Sequence, residues 1–342
     1  MLLCRAGKVR DSGGTDFPKR FATFLRPFDF YFSRLILALV RLNWIQRKEK
    51  TWAIKVNRTT LAIVLLLATS VSAWAAETVN VLYAGSLVNL MERSIGPVFD
   101  QKSGDRFQGY AGGSNKLANE IKGMLRRGDV FVSANPKVND QLMGQTNGNW
   151  IQWYVTFAES PLTIGYSPAS PFANDLKNKP WYEALAEAGL KLGRTDPKLD
   201  PKGALTVELF KRAEALYHKP DLSQKILGEP ENPAQVLPEE ALIGRLQSGQ
   251  LDAGFFYSTE TSDAKIPSIS LPEQIALKAR YTITILRDAP NPSGAEKFVR
   301  FLLGADGRGL LTQHGLAIVK PNLSGDATAV PAAIKSLIDG AQ

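Results

Sequence analysis

From Val79 onward, short apolar, β-branched runs alternate with longer stretches whose apolar positions recur every three or four residues. A switch between a period of two and a period of 3.6 predicts strands feeding helices, the pattern of an α/β chain with largely parallel sheets. "VNVLYAG" predicts a strand, and "LVNLMERSIGPVFDQKSG" a helix ending near Gly104. "RFQGYAG" predicts a second strand. "SNKLANEIKGMLRRG" follows as a helix with Leu117, Ile121, Met124 and Leu125 on one face, and "DVFVSAN" closes a β-α-β-α-β unit between about residues 78 and 135.

The run "WIQWYVTFAESPLTIGYS" is broken by Glu159, Ser160 and Pro161, as suits a strand that leaves one sheet and enters another. A second unit comes next: strand "LKLGRTD", helices "GALTVELFKRAEALYH" and "PEEALIGRLQSG", and strand "LDAGFFYS". Strand "YTITILR" and helix "AEKFVRFLLG" then return to the style of the first unit. The expected organisation is one lobe from 76–158 and 266–342, and a second from 159–265. A chain that crosses twice between lobes forms a hinged pair around a cleft.

Charge changes this picture only at the start of the chain. The 342 residues carry 41 Lys+Arg against 33 Asp+Glu, but 13 of the bases and only 4 of the acids precede Ala76. The remainder is close to neutral, which removes the case for a nucleic-acid partner. The sole cysteine, Cys4, lies in the same leading segment, so the body has no disulfide framework and no cysteine nucleophile. Lys55 and Arg58, the apolar run "LAIVLLLATSV" and the small residues of "SAWAA" read as an export signal over about 56–75, cleaved after Ala75. The protein is therefore expected in the periplasm. Residues 1–54 precede a complete signal, and Val56 is the expected initiator.

In an open α/β sheet, ligands bind beyond the carboxyl ends of the strands. There the chain places Gly85-Ser86 and Gly113-Ser114. Glycine lets a ligand approach the backbone, and a helix N-terminus offers free N–H groups and partial positive charge, a setting for an anion. Read alone, each serine also serves as a plain helix N-cap. His218 and His314 fall late in helices. No serine triad, paired-histidine metal motif or Gly-x-x-x-x-Gly-Lys phosphate loop accompanies them, so an enzyme is not expected. An acid–base enzyme using Glu159 and Asp196 is the rival from another class.

"YAGSL", "GGSN", "GRTDPKLDPKG", "LQSGQLDAGFFYS" and "NPSGAEKFVRFLLGADGRGLLTQHG", in that order, resemble the molybdate/tungstate-binding proteins of ABC importers over nearly the whole chain after the leader. The resemblance implies a two-lobed type II periplasmic binding fold, each lobe a mostly parallel sheet flanked by helices, with the ligand in the cleft. It implies capture of a tetrahedral oxyanion, molybdate or tungstate, for an ABC permease, by a monomer with no cofactor. Carried over by position, Gly85, Ser86, Gly113 and Ser114 bind from lobe one. Ala158, Glu159, Ser160, Asp196 and Tyr257 complete the site, with Asp196 a candidate direct ligand of the oxyanion's metal centre. The tungstate-binding branch places a Glu before the crossover Tyr, whereas this chain has Phe256. Four-coordinate binding through hydrogen bonds is expected on that ground. The alternatives are a receptor for sulfate, phosphate or an organic anion, and a sensing subunit of a membrane receptor.

Overall fold

The computed structural model describes residues 76–340; the expected leader, its cleavage point and the Val56 start lie outside the described residues. Strand β1 (Thr78–Ala84) pairs in parallel with β2 (Arg106–Gly112) and β3 (Val130–Ser133). Val79, Val81 and Tyr83 of β1 enter one core with Phe99 and Phe298. Leu82, on the other face, packs with Leu117, Ile121 and Phe131. A strand buried on both faces must be apolar throughout, which is why "VNVLYA" reads as a run.

Helical segment α1 (85–103) opens as a tight turn over Gly85–Leu87, widens to a π turn over Met91–Ile95 and ends as an α-helix over Gly96–Ser103. Gly104 closes it at φ 74°, a left-handed cap that glycine adopts without strain. Helix α2 (Ser114–Lys122) is shorter than its apolar period suggests, because the chain turns at Gly123 and Met124 sits at φ 53°. Met124 and Leu125, expected on the apolar face, are consequently exposed.

Strand β4 (Trp153–Tyr166) behaves as its broken pattern predicts. Val155 to Pro161 pair with β8 (Lys278–Ile285), and Leu162 to Tyr166 pair with β6 (Ala253–Tyr257). The change of partner falls at Pro161, which has no N–H to offer a ladder. Two ladders thus share one strand: β2-β1-β3-β8-β4 and β5-β6-β4, with β5 at Leu192–Gly193 and β7 (Ser268–Ser270) beside β4. Among the described strands, β1 pairs in parallel with β2 and β3, and β5 with β6; two isolated parallel bridges, Met143 with Ile151 and Arg194 with Val236, lie outside them. The strands by which the chain passes between ladders, β4 and β8, run antiparallel to their neighbours.

Helices α3 (Pro201–Tyr217), α4 (Ser258–Asp263) and α5 (Pro292–Leu303) follow β5, β6 and β8. Strand β9 (Ala317–Gly325) then lies along β4. Its Pro321 is accommodated where the register between β4 and β9 shifts, the setting in which proline is tolerated in a sheet. Among the described residues, no helix is long and apolar enough to cross a membrane.

Candidate functional site

The carboxyl ends of β1, β2, β5 and β6 converge. Beyond β1, Ser86 Oγ lies 3.0 Å from Tyr281 Oη of β8. Beyond β2, the fully buried Ser114 Oγ accepts from the Ala134 N–H at 3.1 Å. Neither hydroxyl caps its own helix: neither the turn opening α1 nor α2 has a side-chain cap bond. This corrects the reading of the two serines as caps. In a hydroxyl pair only one proton lies between the oxygens, and an oxygen that accepts from an N–H still has its own proton to donate. Both junctions therefore keep a donor for a ligand.

The loop after β5 meets these junctions. A Cβ on Gly113 would lie 2.5 Å from the Leu199 carbonyl oxygen and 3.1 Å from Asp200 Cβ, so only glycine permits this approach. Lys116 N–H donates to the Leu199 carbonyl at 3.0 Å, and Asn115 Nδ2 donates to that of Lys198 at 3.0 Å. Gly203 is needed for the same turn, since a Cβ there would come 2.5 Å from the Thr195 carbonyl oxygen.

Asp196, expected as a ligand, is a turn former. Its Oδ1 accepts from the Lys198 and Leu199 N–H groups at 2.7 and 3.3 Å. The carboxylate that faces inward is Asp200, four residues on. Asp200 Oδ1 accepts from Lys202 N–H (2.9 Å) and Thr195 Oγ1 (2.8 Å), while Oδ2 is buried without a partner. Tyr257 is where the sequence puts it, fully buried at the end of β6, with an unpartnered hydroxyl. Burial, and then the Asp200 carboxyl, push that phenol well above its ordinary range. Unpaired buried polar atoms are rare and call for a ligand, water or proton.

Ala158 is buried at the β4 register shift, opposite Tyr281. Ser160 is buried but engaged at the start of α4, with Ser258 Oγ at 3.2 Å, Thr259 Oγ1 at 3.1 Å and the Thr259 N–H donating at 3.3 Å. Glu159, between them on a strand, faces the other way. Its carboxylate pairs with Lys278 at 2.5 Å and Arg280 at 3.5 Å, both about half exposed. Glu159→Gln is therefore expected to shift stability by less than about 1 kcal/mol and to leave anion affinity unchanged, as thermal melting and titration would check.

Three residues that the sequence reasoning did not single out complete the cluster. Lys202, Glu239 and Glu260 are all buried. Lys202 Nζ donates to both oxygens of Glu260 at 2.8 Å and stands 3.4 Å from Glu239 Oε1. It also lies 5.2 Å from the centre of the Tyr257 ring. Burial alone would lower the Lys202 ammonium, but Glu260, Glu239 and Asp200 outweigh it and the net shift is upward. The Tyr257 N–H donates to Glu260 Oε2 at 2.7 Å, so Glu260 is the carboxylate partner of Lys202. Phe256, where the tungstate-binding branch is expected to carry a glutamate, packs with Leu242, Leu246 and Leu251, and its ring centre lies 5.7 Å from Lys202 Nζ.

A pocket of 360 Å³ reaches the cluster, lined by Gly85, Ser86, Glu239 and Glu260 on one side and by Arg93, Asp263 and His314 on the other. His314 is more engaged than its place late in the chain suggests. Its Nε2 lies 2.8 Å from Ser94 Oγ and its Nδ1 2.6 Å from Asp263 Oδ1, joining α1 to α4.

Comparisons with known proteins agree with this architecture. An uncharacterized solute-binding protein of Petrotoga mobilis is 28% identical over 67% of this chain and 80% of its own. A molybdate/tungstate-binding protein of Pyrococcus abyssi is 27% identical over 82% of this chain and 96% of its own. The periplasmic molybdate-binding protein of Azotobacter vinelandii shares the fold, with a TM-score of 0.55 at 18% identity over 70% of this chain and 99% of that one. The family model described as bacterial extracellular solute-binding protein matches residues 79–317, and the chain belongs to that family.

Proposed function

We propose that this protein is the extracytoplasmic receptor for a tetrahedral oxyanion, molybdate or tungstate, which it delivers to an ABC permease. The observation that carries the reading is that both Gly-Ser helix starts reach neighbours of one buried cluster: Ser86 bonds Tyr281, whose ring lies 6.2 Å from that of Tyr257 with its unpartnered hydroxyl, and Gly113 packs against Asp200 with its unpartnered Oδ2. Hydroxyl and backbone donors aimed at one point replace the hydration shell of a dianion, and a closed cavity measures its radius. The relative from Pyrococcus abyssi, by its name, binds the same two anions.

In this reading the ladder of β1, β2 and β3 with its helices, residues 76–158 and 266–342, forms one lobe, and 159–265 the other. Gly85, Ser86, Gly113 and Ser114 contribute from the first, and Asp200 and Tyr257 from the second. Asp200 takes the role expected of Asp196. The export segment 56–75 is removed, and the receptor acts as a monomer without a cofactor.

Calorimetric titration with molybdate, tungstate, sulfate and phosphate tests the reading. Molybdate and tungstate, nearly equal in size, are expected to bind alike. Sulfate, too small to reach every donor, is expected to bind at least about 100-fold more weakly, the scale of one or two missed hydrogen bonds to a charge. Tighter binding of sulfate or phosphate would replace the substrate assignment, and no heat with any of the four would end it.

A further inference from the structure

Glu239 belongs to the part of the buried cluster to which neither the resemblance nor the comparisons assign a role. It lies in the short 3-10 turn Glu239–Ala241, and its side chain is packed against the Gly85 junction: a Cβ on Gly85 would meet Glu239 Oε2 at 2.7 Å. The turn is held in place from below. The buried Arg194 guanidinium donates to the Gln235 side chain (2.9 Å) and to the carbonyls of Pro230 (2.5 Å) and Glu229 (2.8 Å), and Leu237 N–H donates to the Arg194 carbonyl at 2.9 Å. Glu239 therefore arrives beside Ser86 by construction, not as a loose side chain. It is only 5% exposed, and neither of its oxygens accepts a well-directed hydrogen bond. Lys202 Nζ stands 3.4 Å from Oε1, and the other neighbour is the Asp200 carboxyl, whose Oδ2 is likewise unpartnered and accepts from Glu239 only when Glu239 is protonated.

The charges around it decide its state. Asp200 carries two donors on Oδ1, and Glu260 accepts both near contacts of Lys202 together with the Tyr257 N–H. One ammonium cannot compensate three buried carboxylates, and Glu239 has only the longer, 3.4 Å contact with Lys202 Nζ, whose 2.8 Å bonds go to Glu260. Tyr257 and Tyr281 add only neutral phenols. On the pocket side, Glu240, Arg93, Asp263, Lys265 and His314 line the approach. Burial first, and then Asp200, push the Glu239 acid well above the usual carboxylate range, with Lys202 opposing and Glu260 adding to the rise.

We propose that Glu239 contacts the bound oxyanion as a protonated acid, donating its O–H to an anion oxygen, so that above the titration of the free acid the receptor takes up a proton when it binds a dianion. The inference rests on the oxyanion reading above and adds to it a specificity-determining residue. A neutral acid adds one donor where a carboxylate would repel the ligand. It also makes affinity depend on pH: rising pH removes the proton from the free protein and weakens binding, by about tenfold per unit once above the acid's titration.

The test is calorimetry with molybdate and with tungstate from about pH 6 to pH 9, in buffers of different ionisation enthalpy to count protons. Wild type is expected to lose affinity as pH rises, with a proton uptake per anion that rises in step from near zero toward one. Glu239→Gln, a neutral donor of the same shape, is expected to bind with no pH slope, and Glu239→Ala to bind at least about tenfold more weakly at low pH. A flat wild-type profile, or an unchanged slope in Glu239→Gln with binding intact, overturns the inference while leaving the oxyanion reading in place. Wild type that binds neither anion overturns both.

Discussion

Lys202→Met is expected to destabilise the protein by about 3–5 kcal/mol, the cost of leaving a buried charge without its partner. Lys202 is fully buried, so solvent cannot screen the loss, and methionine matches its length without its charge. Glu260 would keep only the Tyr257 N–H, and the Asp200 and Glu239 carboxyls would lose their nearest cation. A second substitution separates charge from packing. Replacing an entire buried pair by apolar residues is often neutral, so Lys202→Met combined with Glu260→Leu is expected to recover most of the loss. Urea unfolding of the two variants measures this. A single variant within about 1 kcal/mol of wild type would mean that the cluster carries its charges differently, with Glu260 neutral and Lys202 dispensable.

The sequence and the structure agree best where periodicity is strong. β1, β2 and the change of partners along β4 follow directly from apolar runs and from Pro161, because a buried strand must be apolar and a proline must interrupt a ladder. β9 was not predicted: its side chains are only partly buried and it contains Pro321, so neither period nor composition marks it as a strand. The site was legible at its glycines and serines. "GRTDPKLDPKG" was recognisable as important, but two Asp-Pro steps four residues apart look alike in sequence. Only the fold shows that Asp196 folds back on its own turn while Asp200 starts α3 and faces inward. Glu159 failed for a simpler reason, since neighbouring residues of a strand face opposite sides and the register of β4 against β8 decides which. Lys202, Glu239 and Glu260 lie on three separate elements, and their meeting has no local signature.

Ser86→Ala combined with Ser114→Ala is expected to weaken molybdate and tungstate binding by about 10²- to 10⁴-fold, the loss of two hydrogen bonds to a charged ligand. Both substitutions also act on the protein itself. Ser86 is only partly buried, but its partner Tyr281 is fully buried, so removing Ser86 Oγ leaves the Tyr281 hydroxyl without that hydrogen bond. Ser114 is fully buried, and its removal leaves the Ala134 N–H unpaired, at a stability cost of about 1–3 kcal/mol. Thermal melting of each single variant therefore accompanies the titrations: both are expected to melt earlier than wild type, because each leaves a buried polar group unpaired, and both to lose affinity while still folded. Loss of affinity in the folded variants is what distinguishes donors to an anion from structural hydroxyls. If Ser86→Ala binds within about threefold of wild type, a change smaller than one such hydrogen bond, the junction after β1 only supports Tyr281, and the oxyanion must be held by the junction after β2 and by the second lobe.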